Sequence, residues 1–493
     1  MVSRSGVLPA RDVRVVLVGT MFALFLAALE QTIVATALPR MLADVGHVEL
    51  SAWVMTSYLV SAVCATPVLG KLSDMYGRGA VMRVCLALFA GGSVLCAAAP
   101  GMAVLIAGRA VQGLGGGGLI TLAQAIVGDA VSPRERGRYA GYFSVAWMSA
   151  ALIGPVAGGL LAQHAGWRWI FWVNLPLGAL AWLLTERALS RLPSTRRAAH
   201  VDVVGILLLC TASIALLACV TFPVRAARGD PVMVGLVAFA IVTSAAFMRR
   251  QRSVPEPILP PHFLRDPVIA PVLAAAFLVF GSYLSLIVLV PLYLQVGTAR
   301  SAGAAGLLLV PMMLTSSVSA LLAGRYTRAS GRYRPPPMVS LPLAIAAAVA
   351  IAMVAPAGNG LAVAALAALF GLGVGTAFPS CIVAAQAAAG PRDTGVVSGA
   401  VGLARALGAA LMTGLAIAWV LAIVSRALPR LANVESLEAL VQRPLDAATR
   451  AIVADAFSSV MWLLAASLTL GWLAFRRLED RTLEHVALTA RPR

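Results

Sequence analysis

The sequence predicts an all-α polytopic membrane protein with fourteen transmembrane helices, and three observations carry that prediction. Of 493 residues, 60% are hydrophobic and only 12% charged, with a mean hydropathy of +0.89. An ordinary soluble domain is nearer ~45–50% apolar and ~25% charged. The apolar residues gather into stretches of roughly 20, the length that crosses a bilayer as a helix. Basic residues sit in the short connections between those stretches, so the net charge of +18 and the pI near 10.9 do not indicate nucleic-acid binding.

The first span, 15–38, follows Arg4, Arg11 and Arg14 and so mimics a signal peptide. Its apolar run continues to about Leu38, too long for a signal h-region, and a retained helix is expected. Spans 52–70, 80–98, 102–127, 138–162 and 169–189 complete a first set of six, residues 1–190. Spans 202–222 and 231–249 form an insert, residues 191–252. The Pro-rich stretch RSVPEPILPPHFLRD (Arg252 to Asp266) leads into a second set of six, residues 253–476. Its spans are 267–293, 303–323, 337–355, 360–385, 395–422 and 456–475, with a mixed-charge outer loop at 423–455 and a polar cytoplasmic tail at 477–493.

Lys and Arg are concentrated in alternate connections, which by the positive-inside rule places both termini in the cytoplasm. The six cysteines all fall within apolar spans without pairing or CxxC spacing, so neither a disulfide framework nor a metal site is expected. An internal repeat is visible. GKLSDMYGR (Gly70 to Arg78) and GRYTRASGR (Gly324 to Arg332) share Gly-basic at the start and Gly-Arg seven residues on, each after the second span of a six-helix set. Two related six-helix halves with two inserted helices follow.

The loop GKLSDMYGRGAVMR (Gly70 to Arg83) is the most specific stretch. Gly70 and Gly77 permit tight turns, and Asp74 can pair with arginines or helix N-termini. Such a charged latch, with Lys71, Arg78 and Arg138, would hold two bundles together in one state and release them in another. A merely solvated basic loop is the plainer alternative.

GKLSDMYGR resembles the signature loop of the major facilitator superfamily. LEQTIVATALP (Leu29 to Pro39), RAVQGLGGGG (Arg109 to Gly118), IGPVAGG (Ile153 to Gly159) and GWRWIFWVNLPLG (Gly166 to Gly178) narrow the resemblance. Together they look like the fourteen-helix drug:proton antiporter branch that includes multidrug resistance protein B. PLYLQ (Pro291 to Gln295), SAGAAGLLLVP (Ser301 to Pro311) and RALG (Arg405 to Gly408) fit the same branch. The resemblance implies the major facilitator fold and export by alternating access. It also makes Gly154, Pro155, Gly158 and Gly159 the antiporter motif, in which Gly154 and Gly158 offer a close-contact face and Pro155 bends the helix. Glu30 stands where that branch usually has Asp, and Arg328 stands where Asp74 would have its counterpart.

Glu30 is the one acid deep in a span. Asp129, Glu186, Asp202 and Asp266 are at span ends, and all five histidines are in loops or at ends. At the helical rise per residue, Glu30 and Arg109 lie ~12 Å and ~10 Å below the outer face, so direct or water-mediated contact is feasible. A neighbouring arginine favours the ionised carboxylate while desolvation favours the neutral acid. Glu30 and Arg109 are therefore the candidate proton-coupling pair, with a permanent structural ion pair as the alternative. The formal GxGxxG at Gly113, Gly115 and Gly118 lies inside a membrane helix, and close helix approach explains it better than a dinucleotide site.

Tyr58, Trp147, Tyr283, Phe378 and Arg405 are candidate substrate-cavity residues, the aromatic ones equally readable as packing. Arg405 differs from Glu30 in depth by several Å, so a direct bond is the less expected arrangement. Two readings stand equal: it faces the cavity and meets substrate, or it satisfies backbone carbonyls in the second half. One deep acid against two deep arginines suggests neutral, zwitterionic or weakly anionic amphipaths, or cations handled by Glu30 alone. The expected function is proton-coupled export of small amphipathic compounds across the cytoplasmic membrane by a monomer without cofactor, metal or nucleic-acid partner. A periplasmic adaptor is to be expected only in a Gram-negative cell. A dedicated exporter of one metabolite, antibiotic, siderophore or lipid is the alternative, and a non-transporting membrane sensor a remote one.

Overall fold

A computed structural model describes residues 10–46, 50–189, 201–221, 230–390, 393–427 and 447–479. Every regular element among them is helical. The first half comprises α1 (Ala10–Val45), α2 (Ser51–Tyr76), α3 (Arg78–Ala97), α4 (Met102–Ala130), α5 (Pro133–His164), α6 (Trp169–Trp172) and α7 (Asn174–Leu189). The insert is α8 (Val203–Thr221) and α9 (Pro231–Gln251). The second half is α10 (Ile269–Val296), α11 (Ala302–Ser330), α12 (Pro335–Val354), α13 (Gly360–Gly375), α14 (Ala377–Ala389), α15 (Thr394–Ala427) and α16 (Ala447–Arg477). Thirteen segments among the described residues are long and apolar enough to cross a bilayer, and Val203–Cys219 is a shorter apolar helix. The outer surface agrees: Val232, Val234, Ile241 and Val242 on α9 are each at least 60% exposed, a face that only lipid would cover.

Each half has its own core. In the first, α1 packs on α4, α5 and α7, while α4 is backed by α2 and α3. In the second, α10 packs on α15 and α16, and α13 on α11 and α12. The insert helices pack on each other, and α8 then lies against α2 and α15 at the junction of the halves. Val63, Leu209, Leu217, Phe247, Ile258 and Leu403 form the core of that junction. Gln251 fixes the Pro-rich connection there, its Oε1 accepting from the backbone N–H groups of Ile258 (2.6 Å) and Leu259 (3.1 Å).

Several helices differ from their expected bounds, each for a local reason. The spans expected at 169–189 and 360–385 are each broken, at Val173 and at Thr376. Each break directly follows the residue four before a proline, Trp172 before Pro176 and Gly375 before Pro379. Proline offers that carbonyl no N–H and its ring crowds it. The stretch GKLSDMY is the last turns of α2 rather than a loop. Gly70 makes no turn; a Cβ there would meet the carbonyl oxygen of Gly395 at 2.5 Å, so Gly70 marks a close approach of α2 to α15. Gly77 makes the turn, with φ +91°, a region that favours glycine. GRYTRAS is likewise helical, and Gly331 at φ +68° ends α11. Both flanks of the loop expected at 423–455 are helical, and 428–446 lie outside the described residues, as do most of the expected tail 477–493 and the junction 190–200.

Candidate functional site

The glycines of α4 set the site by letting neighbouring helices come close. A Cβ on Gly113 would meet the backbone of Tyr58 on α2, one on Gly117 the backbone of Ala62, and one on Gly115 the backbone of Phe89 on α3. With no Cβ in the way the three backbones touch, and Arg109, one turn before Gly113, is held between them. Glu30 reaches the same point from α1.

Glu30 and Arg109 are both 0% exposed and in direct contact, Arg109 Nη1 lying 2.5 Å from Glu30 Oε1. The other carboxylate oxygen accepts from Asn174 Nδ2 at 2.5 Å. Arg109 Nη1 also donates to Gln112 Oε1 (2.7 Å), and Arg109 Nε donates to the Val54 carbonyl (3.1 Å). Gln112 Nε2 donates to Ser93 Oγ (2.8 Å), which in turn donates to the Phe89 carbonyl (2.9 Å). The guanidinium carbon stands 4.4 Å from the centre of the Tyr58 ring, and Tyr58 Oη donates to the Ala27 carbonyl at 3.2 Å. Charge-assisted hydrogen bonds and a cation–π contact thus satisfy an ion pair with no water access. Arg109 Nη2 is the exception, buried without a partner. The network draws side chains from α1, α2, α3, α4 and α7.

Sequence reasoning reached Glu30 and Arg109 but missed Asn174, Gln112 and Ser93. The search was for titratable groups, and these are neutral. The available signal was a lone amide within each of two stretches that carry one arginine and are otherwise apolar, Asn174 in GWRWIFWVNLPLG and Gln112 in RAVQGLGGGG. Tyr58 is a buried platform under Arg109 rather than a cavity wall, and its 0% exposure removes it from any open surface in this state. Trp147 packs beside Phe25 and Leu177 against α1.

A second charged network lies at the end of the molecule carrying Gly70 to Arg78, here called the latch end. The Asp74 carboxylate pairs with Arg78 at 2.5 Å and accepts the N–H groups of Gly395 (3.1 Å) and Val396 (2.8 Å). Those amides are orphan donors at the start of α15. Arg78 also reaches Asp129 Oδ2 (2.8 Å) and Thr394 Oγ1 (2.6 Å), and Thr394 donates to Asp129 Oδ1 (2.7 Å). Helices α2, α3 and α4 of the first half are thereby tied to α15 of the second. Lys71 pairs with Glu256 of the Pro-rich connection at 2.5 Å. Arg138 takes no part in this network. It donates to Tyr142 Oη on its own helix (2.9 Å) and, with Arg325 and Arg328 of α11, lines a cavity of about 510 Å³. The crossing of α5 and α11 beside it brings Gly137 against Gly324 and Thr327.

The antiporter-motif glycines face inward: Gly154 lies against Thr32, and Gly158 against Ile33 and Thr36 of α1. Thr32 Oγ1 bridges to the Ala150 carbonyl at 3.1 Å. Gly159 has open space beside it, and Pro155 is exposed. At the far end of α1, Asp44 accepts from Trp167 Nε1 and pairs with Arg168, both at 2.9 Å. The Trp167 hydrogen bond and then Arg168 hold the Asp44 carboxyl below the usual carboxylate range.

In the second half, Arg405 of α15 lies with its guanidinium carbon 4.3 Å from the Phe280 ring centre. Phe280 and Tyr283 of α10 both meet the ring of Phe378 edge-on, at 3.7 and 5.5 Å between centres. Tyr283 Oη is hydrogen-bonded to Ser316 Oγ (2.9 Å). Cys381 is a buried free thiol on α14, one turn beyond Phe378.

Comparison with known proteins gives a consistent picture. The family model described as Major Facilitator Superfamily matches residues 20–413. The Acurin A biosynthesis cluster MFS-type transporter of Aspergillus aculeatus is 34% identical over 324 residues, 63% of this chain and 58% of the relative. Multidrug resistance protein 3 of Bacillus subtilis is 32% identical over 319 residues, 64% of this chain and 62% of the relative. The chain thus spans less than two thirds of the length of these two relatives. Among solved structures, the proton:xylose symporter XylE superposes with a TM-score of 0.62 over 98% of this chain and 100% of its own, at 12% identity, a likeness of fold.

Proposed function

The chain belongs to the major facilitator superfamily, and from that premise we propose that it is a proton-coupled antiporter exporting small amphipathic compounds. It is a multi-pass membrane transporter rather than an enzyme; the coupling ion, the direction and the substrate are the proposal. The observation that carries it is the sealed Glu30–Arg109 pair at the centre of a network that draws side chains from five helices. A charge at membrane depth is expensive, by insertion scales about 2.5–3.5 kcal/mol at a helix centre. Here the expense supports a site in which gain or loss of one proton changes the packing of a whole half.

In the proposed cycle the latch end faces the cytoplasm, as the positive-inside rule requires. The Asp74 network then closes the cytoplasmic side in the state described. Protonation of Glu30 would remove the charge that Arg109 balances, leaving a buried cation with only Gln112, the Val54 carbonyl and the Tyr58 ring around it. That imbalance is relieved by moving α1 and α4 relative to each other, which gives the proton a differential effect on the two states. Release of the proton on the cytoplasmic side would restore the pair. The inner membrane of the cell is the expected location, and the proton gradient the only driving force the reading needs.

Proteoliposomes loaded with a pH-sensitive dye test the reading. Addition of a transported compound should move protons in the direction opposite to it. Transport that is indifferent to a collapsed proton gradient would overturn the coupling. A susceptibility panel in an efflux-deficient host separates breadth from dedication. Resistance to several unrelated amphipaths is expected, and resistance to a single compound would make this a dedicated exporter.

A further inference from the structure

The two deep arginines differ in one respect. Arg109 is neutralised by Glu30 and bonded to Gln112 and Val54. Arg405 has no such company: among the described residues it makes no ion pair and no side-chain hydrogen bond, and its Nε is buried without a partner. Its guanidinium lies against the face of Phe280, and the Cys381 thiol of α14 is close enough to interact with it electrostatically. An arginine stays protonated in proteins, and an unpaired cation at membrane depth calls for a counter-charge. With Glu30 held by Arg109, no carboxylate among the described residues pairs with Arg405.

The surroundings indicate what would. Gly399 and Gly402, one to two turns before Arg405 on α15, touch Pro67 and Thr66 of α2, so Arg405 stands just beyond the cross-half contact, on the side away from the latch. Phe280, Tyr283 and Phe378 are half-buried, and their edge-on contacts join all three rings into one cluster that begins at the guanidinium. A planar fork of donors beside aromatic faces suits a ligand with a carboxylate or sulfonate at one end and a flat apolar body at the other.

We propose that Arg405, with Phe280, Tyr283 and Phe378, forms the substrate-binding site and that it selects aromatic organic anions. This rests on the export reading above and names its substrate class. Selection against cations follows from the same geometry, because an ammonium ligand would face Arg405 without a carboxylate to offset it.

Equilibrium binding to purified protein in nanodiscs, at one pH and with no gradient, tests this independently of proton coupling. Dansylglycine serves as the fluorescent anionic probe, displaced by three near-isosteres: 1-naphthoate, 1-naphthamide and 1-naphthylmethylammonium. The naphthoate should displace at least about tenfold more strongly than the other two, in keeping with one charge-assisted contact. Arg405→Gln should abolish that preference while leaving naphthamide binding within about twofold, which also shows the variant to be folded. Arg405→Lys should retain part of the preference, and Phe280→Leu should weaken all three ligands alike. The proposal falls if wild-type protein binds no dansylglycine up to millimolar concentration, if the ammonium competes as well as the carboxylate, or if the preference survives Arg405→Gln. Failure of ΔpH-driven transport alongside an intact anion preference would instead count against the coupling reading alone.

Discussion

Replacing Asp74 by Asn should open the latch end, and the size of the effect follows from the contacts. The carboxylate accepts two backbone N–H groups at the start of α15, at 3.1 and 2.8 Å, and pairs with Arg78 at 2.5 Å. Its side chain and that of Arg78 are 9% and 11% exposed, so solvent screening is slight. Hydrogen bonds to charged groups contribute about 1.5–3 kcal/mol and neutral ones about 1 kcal/mol. Asparagine keeps one acceptor oxygen and therefore one neutral bond, while Arg78 retains Asp129 and Thr394. Losing the two cross-half bonds to the charge and keeping one neutral bond destabilises the closed latch by about 2–5 kcal/mol, or roughly 30- to 4,000-fold in its equilibrium with the open state. Pulsed electron–electron spectroscopy reads it directly. Spin labels go at Tyr76 and Arg328, both exposed and on opposite halves, on a background with the native cysteines replaced. Wild-type protein should give one short distance, and Asp74→Asn a second, longer one. Gly70→Ala, acting by a clash with the Gly395 carbonyl rather than by charge, should produce the same longer distance. An unchanged distribution in both variants would refute the latch.

Two further outcomes follow from the burial of each charge. Asn174→Ala leaves Glu30 Oε2 without a donor in a sealed site, a loss of about 1.5–3 kcal/mol; a fall of several degrees in melting temperature in detergent is expected, and an unchanged value would mean that water replaces the amide. Lys71 and Glu256, 14% and 28% exposed, are close to solvent, so a double-mutant cycle on stability should give a coupling of at most about 1 kcal/mol, and a larger value would assign the Pro-rich connection a part in the latch.

Much of this was legible in the residues. Counting helical rise from the span ends put Glu30 and Arg109 at like depth, because both helices are continuous and the ruler holds. The breaks at Val173 and Thr376 were not foreseen, because their cause lies three residues on, at Pro176 and Pro379, inside what hydropathy counts as one apolar run. The extension of α2 through GKLSDMY was hidden for the opposite reason: Lys71 and Asp74 lower hydropathy without opposing helix, and Gly77 is the residue that stops it. Asn174, Gln112 and Ser93 acquire meaning only by converging from three helices on one network around the Glu30–Arg109 pair. No spacing within a single stretch encodes that. Arg138 was drawn to the latch by its charge and its position near the same end, yet its helix crosses α11 and carries it to Arg325 and Arg328 instead.

The central claim is that the proton acts through Glu30. Uptake into inverted vesicles or proteoliposomes, driven by an imposed pH difference, is the most direct measure for wild type, Glu30→Gln and Glu30→Asp. The account predicts that the Gln variant, which has the shape but cannot titrate, loses ΔpH-driven transport while remaining in the membrane, and that the Asp variant, shorter by one methylene, keeps part of it. Normal ΔpH-driven transport by Glu30→Gln would contradict the account and leave Glu30–Arg109 as a structural ion pair.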